Sequence, residues 1–336
     1  MRNAGNPVRK PRIALAIGDP AGIGPELAAR MAVDPEVNDA VELTVVGDRR
    51  VLERGAREAG IDLAALRQVS VRDLGNLDPG TIRLGVSAEA GGRSALANFR
   101  TCLEIAQRGD ADAVCFTPFN KAAMKLGEPS YGDEIGFALG VLGLPGPASE
   151  FNVLDRLWNA RVTSHVPLSK VASLITEPNV LRAIRLTDAS MRAAGLGEPR
   201  IAVAALNPHA GDGGNFGHED DAIIRPAVEA AQRDGILAEG PFPSDTVFLR
   251  AQKGAFDAVL TMYHDQGQIA MKLLGFERGV TLLGGFPFPV CTPAHGSAYD
   301  IAGRGIAHPG ATRNAILLAG RIAAARAGAE AQPALA

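Results

Sequence analysis

Cysteine is scarce in this chain, and what there is stands apart: Cys102, Cys115 and Cys291 form no C-x-x-C pair. That spacing excludes a disulfide framework and a thiolate zinc site. It fits a reduced, cytoplasmic setting in which each thiol is a small buried hydrophobe. No apolar run approaches the length of a membrane-spanning helix, so no membrane role is expected. The basic residues Arg2, Arg9, Lys10 and Arg12 precede no apolar segment with a cleavage site, so the start does not read as a secretory leader. Positive charge is not in excess either. The net charge of −3 argues against a nucleic-acid partner. Histidine is rare, with six residues in 336, and that makes its placement informative.

Three of those histidines share one context, an apolar strand-like run that ends in a polar, Gly- or Pro-rich turn. His165 follows the run from Ala160, His209 the run from Ile201, and His264 the run from Ala258. In an open parallel α/β sheet, ligands gather at the carboxyl ends of strands. Neutral imidazole is also the commonest transition-metal ligand. Any one of these residues alone reads better as a hydrogen-bonded histidine near the surface. The set of three points to a divalent-metal or catalytic centre.

At 336 residues the chain exceeds one ordinary core, so two domains or one large α/β unit is expected. Short apolar runs at Ile13–Ile17, Val41–Val46 and Ala113–Phe116 alternate with helical stretches near Pro25–Met31, from Val51, and over Ser94–Arg108. That rhythm argues for a mainly parallel sheet. A helix over Thr312–Ala325 closes the pattern; residues 1–10 read as a solvated lead-in and the Ala/Gly-rich tail from about Arg326 as frayed.

Two motifs frame the ends. Gly18-Asp19-Pro20-Ala21-Gly22-Ile23-Gly24-Pro25-Glu26 lies between a strand and a helix. Its glycines allow close backbone approach, and the helix start offers unpaired N–H groups to a ligand. It does not match G-x-G-x-x-G, and a plain tight turn explains it equally well. The second is His295-Gly296-Ser297-Ala298-Tyr299-Asp300, running on to Ala307.

With the second motif a resemblance becomes specific. The His295–Ala307 stretch looks like the adenine-binding loop of the isopropylmalate and isocitrate dehydrogenase superfamily. Closer still, Gly18-Asp19-Pro20, Asn207-Pro208-His209-Ala210, Tyr263-His264-Asp265-Gln266-Gly267 and His295-Gly296-Ser297, in that order, resemble the 4-hydroxythreonine-4-phosphate dehydrogenase family. The resemblance implies an isopropylmalate dehydrogenase-like α/β/α sandwich of two subdomains with an interdomain cleft. It implies a cofactor-side subdomain at 11–135 plus 272–328 and a metal, substrate and dimerisation subdomain at 136–271, with flexible ends at 1–10 and 329–336. It also implies NAD as cofactor, and a homodimer in which one subunit completes the other's metal site.

On this resemblance His165, His209 and His264 are the metal triad, for Zn²⁺ first, with Mn²⁺, Co²⁺, Ni²⁺ or Mg²⁺ open. Gly18, Asp19, Gly22, Gly24, His295, Gly296, Ser297, Ala298 and Asp300 are the cofactor residues. Lys272, Asp245 and Asp265 are the catalytic candidates, the lysine as proton donor or carboxylate anchor. A carboxylate at Asp300 favours NAD over NADP, because it accepts from ribose hydroxyls and repels a 2′-phosphate. A turn-capping role for Asp300 and a reach of Arg304 toward phosphate stay open.

Departures from the family pattern bear on substrate. A His-Thr pair is replaced in Tyr131-Gly132-Asp133-Glu134, an asparagine by Thr281, and an arginine by Val290. Loss of that arginine removes a bidentate phosphate donor. Asp133, Thr281 and Val290 are therefore expected at a substrate site rebuilt for a non-phosphorylated hydroxy acid. A carboxylated cis-dihydrodiol is one such acid, as in the terephthalate dihydrodiol branch, with Phe286 and Phe288 as an apolar wall and decarboxylation a possible sequel. The alternatives are a phosphorylated substrate (4-hydroxythreonine, threonate or erythronate phosphate) and an NAD-binding pseudoenzyme or sensor.

Overall fold

The computed structural model describes residues 9–330. Its strands are β1 (Arg12–Ala16), β2 (Glu42–Gly47), β3 (Ser70–Asp73), β4 (Ala113–Phe116), β5 (Ser149–Leu154) and β6 (Leu157–Arg161). They continue as β7 (Ile201–Ala204), β8 (Ala238–Phe242), β9 (Ala258–Thr261), β10 (Val280–Gly284) and β11 (Val290–Pro293). The chain forms two compact units, one of residues up to Pro145 and from Pro287 onward, the other Gly146–Phe286. The expected division at 135/136 and 271/272 leaves the helix His264–Gly275 split and β10 on the cofactor side. Both elements lie whole within the second unit.

In the first unit the strand order is β3-β2-β1-β4-β11, parallel at every pairing. β1 and β4 are short apolar runs buried on both faces, as a parallel sheet between helical layers requires. The long helix Glu89–Gln107 begins before the expected Ser94 and takes Gly91 and Gly92 into its first turns. A Cβ on Gly92 would lie 1.9 Å from the Ala123 carbonyl oxygen, so the glycine lets two helices touch instead of ending one. Phe99 packs against Phe116, Phe119 and Phe137 with ring centroids 4.9, 5.4 and 5.8 Å away. All three cysteines are buried and free, and burial pushes their thiols up, out of reactive range.

Arg9 and Lys10, expected in a loose lead-in, are tied down: Arg9 donates to Asp112, and Lys10 to the Asn38 carbonyl at 2.8 Å. The closing helix Gly310–Glu330 also extends through the stretch expected to fray. Residues 1–8 and 331–336 lie outside the described residues.

Asp112 gathers the edge of this unit. It accepts from the Arg12 main chain at 2.7 Å and from the Arg12 and Arg9 guanidinia at 2.9 and 3.0 Å. Burial alone would raise the carboxyl, but these donors outweigh it and hold it at about 2. A carboxyl depressed on folding stabilises above its unfolded value and loses that contribution as pH falls toward the folded one. Asp112→Asn is therefore expected to cost roughly 1 kcal/mol at pH 7, allowing for solvent screening, with the gap closing toward pH 2–3. Denaturant melts at both pH values test this; an equal gap at both would contradict it.

The second unit has the order β10-β5-β6-β9-β7-β8. β10, β5 and β6 pair antiparallel, whereas β6-β9, β9-β7 and β7-β8 pair parallel. Asp155, with φ 54°, makes the tight turn from β5 to β6. Val247, Phe248, Phe256, Val259 and Met271 centre its core. Among the described residues no helix is long and apolar enough to cross a membrane.

Candidate active site

The two motifs of the first unit are bonded to each other. After β1, Gly18 donates its N–H to Thr117 Oγ1 at 2.8 Å, and Asp19 to the Pro118 carbonyl at 3.0 Å. The helix Gly24–Ala32 follows with Pro25 in its first turn, where no partner for its nitrogen is needed. Ile23 N–H donates to the Ser297 carbonyl at 3.0 Å. Gly22 lies so close to Ser297 that a Cβ would be 2.5 Å from that oxygen. Glu26, 1% exposed, accepts from Ala307 N–H at 3.0 Å and from Arg30, which fixes the far end of the second motif.

Asp19 is engaged within this arrangement. It is 1% exposed; one oxygen accepts from Ala21 N–H at 3.0 Å and the other from the Tyr299 hydroxyl. Tyr299 also meets Ser87 Oγ at 3.2 Å, Ser87 donates to Asn120 Oδ1 at 3.2 Å, and Asn120 Nδ2 donates to Ser297 Oγ at 3.4 Å. Burial raises the Asp19 carboxyl despite the Tyr299 bond, and burial together with Asp19 raises the Tyr299 hydroxyl. The expected cofactor ligand Asp19 thus joins the two loops. Gly296 and Asp300 stay exposed, and Ala298 adopts φ 43° before the short turn of helix Tyr299–Ile301. Burial lowers His295, favouring the neutral form of its imidazole. Sequence reasoning missed Thr117, Ser87, Asn120 and Tyr299 as the partners that shape these loops. They lie far apart along the chain, and only the polar Asn120 before a helix gave a local sign, that of a cap.

The histidines belong to the second unit. β6, β9 and β7 are neighbours and parallel, so His165, His264 and His209 leave the same edge of the sheet. The His165 and His264 rings stand 5.5 Å apart, centroid to centroid. They line a cavity of about 220 Å³ with Ser164, Leu168, Tyr263 and Asp265. Ser164 Oγ is buried there without a hydrogen-bond partner. His264 Nδ1 is 2.7 Å from Asp265 Oδ1, which leaves Nε2 for another ligand.

His209 does not join that pair. Its ring packs against Phe216 at 6.0 Å, and among the described residues no group of three His, Cys, Asp or Glu side chains is placed to hold an ion. Its loop is nonetheless held firmly. Fully buried Asp220 accepts from Leu206 and Asn207 N–H at 2.8 and 3.1 Å and from Asn207 Nδ2 at 2.9 Å. His165 and His209 both have φ 52°, a backbone conformation uncommon for non-glycine residues and often found at functional sites. An imidazole pair with a carboxylate on the distal nitrogen and an unpartnered hydroxyl beside it fits a divalent ion, with two protein ligands from one chain.

The remaining candidates are dispersed. Lys272 is exposed two turns along the helix that His264 begins, and Asp245 is exposed in the first turn of the helix Ser244–Gln252. Asp133 caps the helix Glu134–Leu142, accepting from Gly136 N–H at 2.7 Å. Thr281 on β10 is half-buried and accepts from Asn152. Val290 is fully buried in register with Val114, and Phe286 and Phe288 are also buried, so the expected apolar wall packs into cores instead of lining an open surface.

Known proteins match over nearly the whole chain. The family profile described as pyridoxal phosphate biosynthetic protein PdxA matches residues 39–319. A Rhizobium meliloti (strain 1021) protein provisionally named 4-hydroxythreonine-4-phosphate dehydrogenase 2 is 56% identical over 332 residues, covering 95% of each chain. The crystal structure of 4-hydroxythreonine-4-phosphate dehydrogenase from Klebsiella pneumoniae superposes with a TM-score of 0.82 at 31% identity, covering 94% of this chain and 100% of that one. A terephthalate 1,2-cis-dihydrodiol dehydrogenase from Burkholderia xenovorans LB400 is more distant, with a TM-score of 0.65 at 29% identity over 93% of this chain and 98% of that one.

Proposed function

From the premise that this chain belongs to the PdxA family of dehydrogenases acting on a CH–OH group, we propose that it is an NAD- and divalent-metal-dependent oxidoreductase of a phosphorylated hydroxy acid. The observation that carries the metal part is the delivery of His165, His264 and His209 by three adjacent parallel strands. The cofactor part rests on the bonded pair of loops around Gly22 and Ser297, with Asp300 exposed to meet ribose hydroxyls.

A bound ion supplies Lewis acidity to a substrate hydroxyl, and NAD supplies the hydride acceptor. The chain's own residues do the rest. Asp265 orients the His264 imidazole, and Lys272 anchors a substrate oxyanion or returns a proton. Exposed His209, outside the His165–His264 pair, supports a homodimer in which a second copy completes the ligand set. Strongly exposed Leu168 and Leu273, at 69% and 83%, support the same reading.

The relatives' names favour 4-hydroxythreonine 4-phosphate or a related four-carbon acid phosphate, not the unphosphorylated hydroxy acid expected from the substitutions. The unphosphorylated reading stands second, carried by fully buried Val290, which presents no charge. The deciding assay is NADH formation by metal-loaded protein on 4-hydroxythreonine 4-phosphate, threonate 4-phosphate and a cis-dihydrodiol carboxylate, with and without chelator. Chelator-sensitive turnover of a phosphate ester is expected, with NAD preferred to NADP. Turnover of the diol alone would reverse the order of the two readings.

A further inference from the structure

At the amino ends of the strands that deliver the histidines, the second unit has a cavity of about 480 Å³. Parallel register builds it. Trp158 of β6 and Ile201 of β7 both pair with Ala258 of β9, so the residues just before them, Leu157, Arg200 and Asp257, stand in one row. Side chains at matched positions of a sheet share a face, and all three of these line the cavity. The helices Ser244–Gln252 and His264–Gly275 run back over that face, and their last turns add Ala251 and Leu274. The β5–β6 turn closes the side with Leu154, with Asp155 at φ 54°, and with Arg156.

The floor is apolar. Leu154, Ala251 and Phe256 belong to the core of this unit, and Leu157 and Leu274 pack against it. The rim is charged, with the guanidinia of Arg156, Arg200 and Arg278 against the carboxylates of Asp155 and Asp257. Both carboxylates are already held. Asp257 accepts from Arg200 Nε and Nη2 at 3.0 and 2.9 Å, and Asp155 accepts from Arg278 Nη1 at 2.8 Å. Carbonyls at a helix end would repel an anion. Those of Arg250 and Ala251 are capped, accepting from Ala255 and Gly254 N–H at 3.1 and 2.9 Å. Arg156 is the guanidinium left over: it is exposed and makes no hydrogen bond or ion pair among the described residues.

The cavity thus offers a ligand one uncompensated positive charge above an apolar floor. Small-molecule sites are commonly concave, of this size and mostly apolar, with few polar groups to fix orientation. A planar guanidinium takes a carboxylate in two parallel hydrogen bonds. We infer that the cavity is a second binding site, for a small monoanionic carboxylate with a hydrocarbon body. Its charged group meets Arg156, and its hydrocarbon part lies on Leu157, Phe256 and Leu274. The inference does not rest on the reading of the histidines. His165 and His264 follow the carboxyl ends of β6 and β9, whereas this cavity sits at the amino ends of the same strands.

Calorimetric titration with hexanoate, acetate and hexanol tests the site, on metal-loaded protein and again with chelator present. Hexanoate should bind the wild type equally in both conditions. Acetate lacks the apolar body and hexanol the charge, so each should bind at least about tenfold more weakly. Arg156→Gln should weaken hexanoate about tenfold, and Arg156→Lys, which keeps the charge but not the fork, about threefold. Arg182→Gln removes another exposed guanidinium, on the helix Glu177–Ala193 outside this cavity, and should bind as wild type. No binding of hexanoate to wild type, acetate or hexanol bound as tightly as hexanoate, or wild-type affinity in Arg156→Gln would overturn the inference. So would binding that disappears with chelator, which would put the probe at the histidines instead. Because Arg156 bonds to no other described residue, its variants should melt with the wild type, and melting curves check that the loss is one of binding.

Discussion

His264→Ala is expected to lower NAD-linked turnover at least about a thousandfold while NAD affinity stays within about twofold. His264 stands in the second unit with His165 5.5 Å away, whereas Gly22, Ser297 and Asp300 belong to the first. Loss of the imidazole removes the proposed metal ligand and leaves Asp265 without the ring it is bonded to. Substrate activation and cofactor binding should therefore separate in one variant. Turnover under saturating metal and NAD, paired with fluorescence titration of NADH, reads both quantities. A His308→Ala control, altering a histidine outside the strand-end set, should behave as wild type. Turnover retained in His264→Ala would end the metal-ligand assignment.

The second large effect concerns Gly22→Ala. A Cβ there would meet the Ser297 carbonyl oxygen at 2.5 Å and Ser297 Cβ at 2.8 Å, and the oxygen belongs to backbone that cannot rotate away. Relief requires the loops after β1 and β11 to part, which strains the Ile23–Ser297 bond and the chain from Ser297 through Asn120 and Ser87 to Tyr299. Overpacking of this kind costs about 1–3 kcal/mol, so KM for NAD should rise roughly tenfold or more with kcat at saturating NAD falling much less. Steady-state kinetics against NAD, beside a melting curve, tests it. An unchanged KM in a folded variant would remove these loops from the cofactor site.

Much of the architecture was legible because burial on both faces of a parallel sheet leaves a local trace. Ala113–Phe116 is recovered without change, and β1, β2 and the helix Gly24–Ala32 differ from expectation by a residue or so. The miss at Glu89 has the opposite cause: Gly91 and Gly92 lower helix propensity locally, but contact with the neighbouring helix overrides it. Asp133 shows the same limit at the site. A carboxylate near a family substrate position read as a ligand, and the local sequence did not show that one of its oxygens also caps a helix.

By itself the sequence determined the strand–turn–histidine pattern, because hydrophobic periodicity and turn residues act over a few neighbours. Along with it came the family, through four motifs in order, and the burial of every cysteine. Tertiary structure alone decided which polar groups meet across long separations. It set His264 beside His165 and left His209 with Phe216. It gave Asp19 to Tyr299, 280 residues away, and Asn152 to Arg161 and Thr281. Hydrogen bonds reach only about 3 Å, so their partners are chosen by how strands and helices stack, and no spacing along the chain encodes that choice.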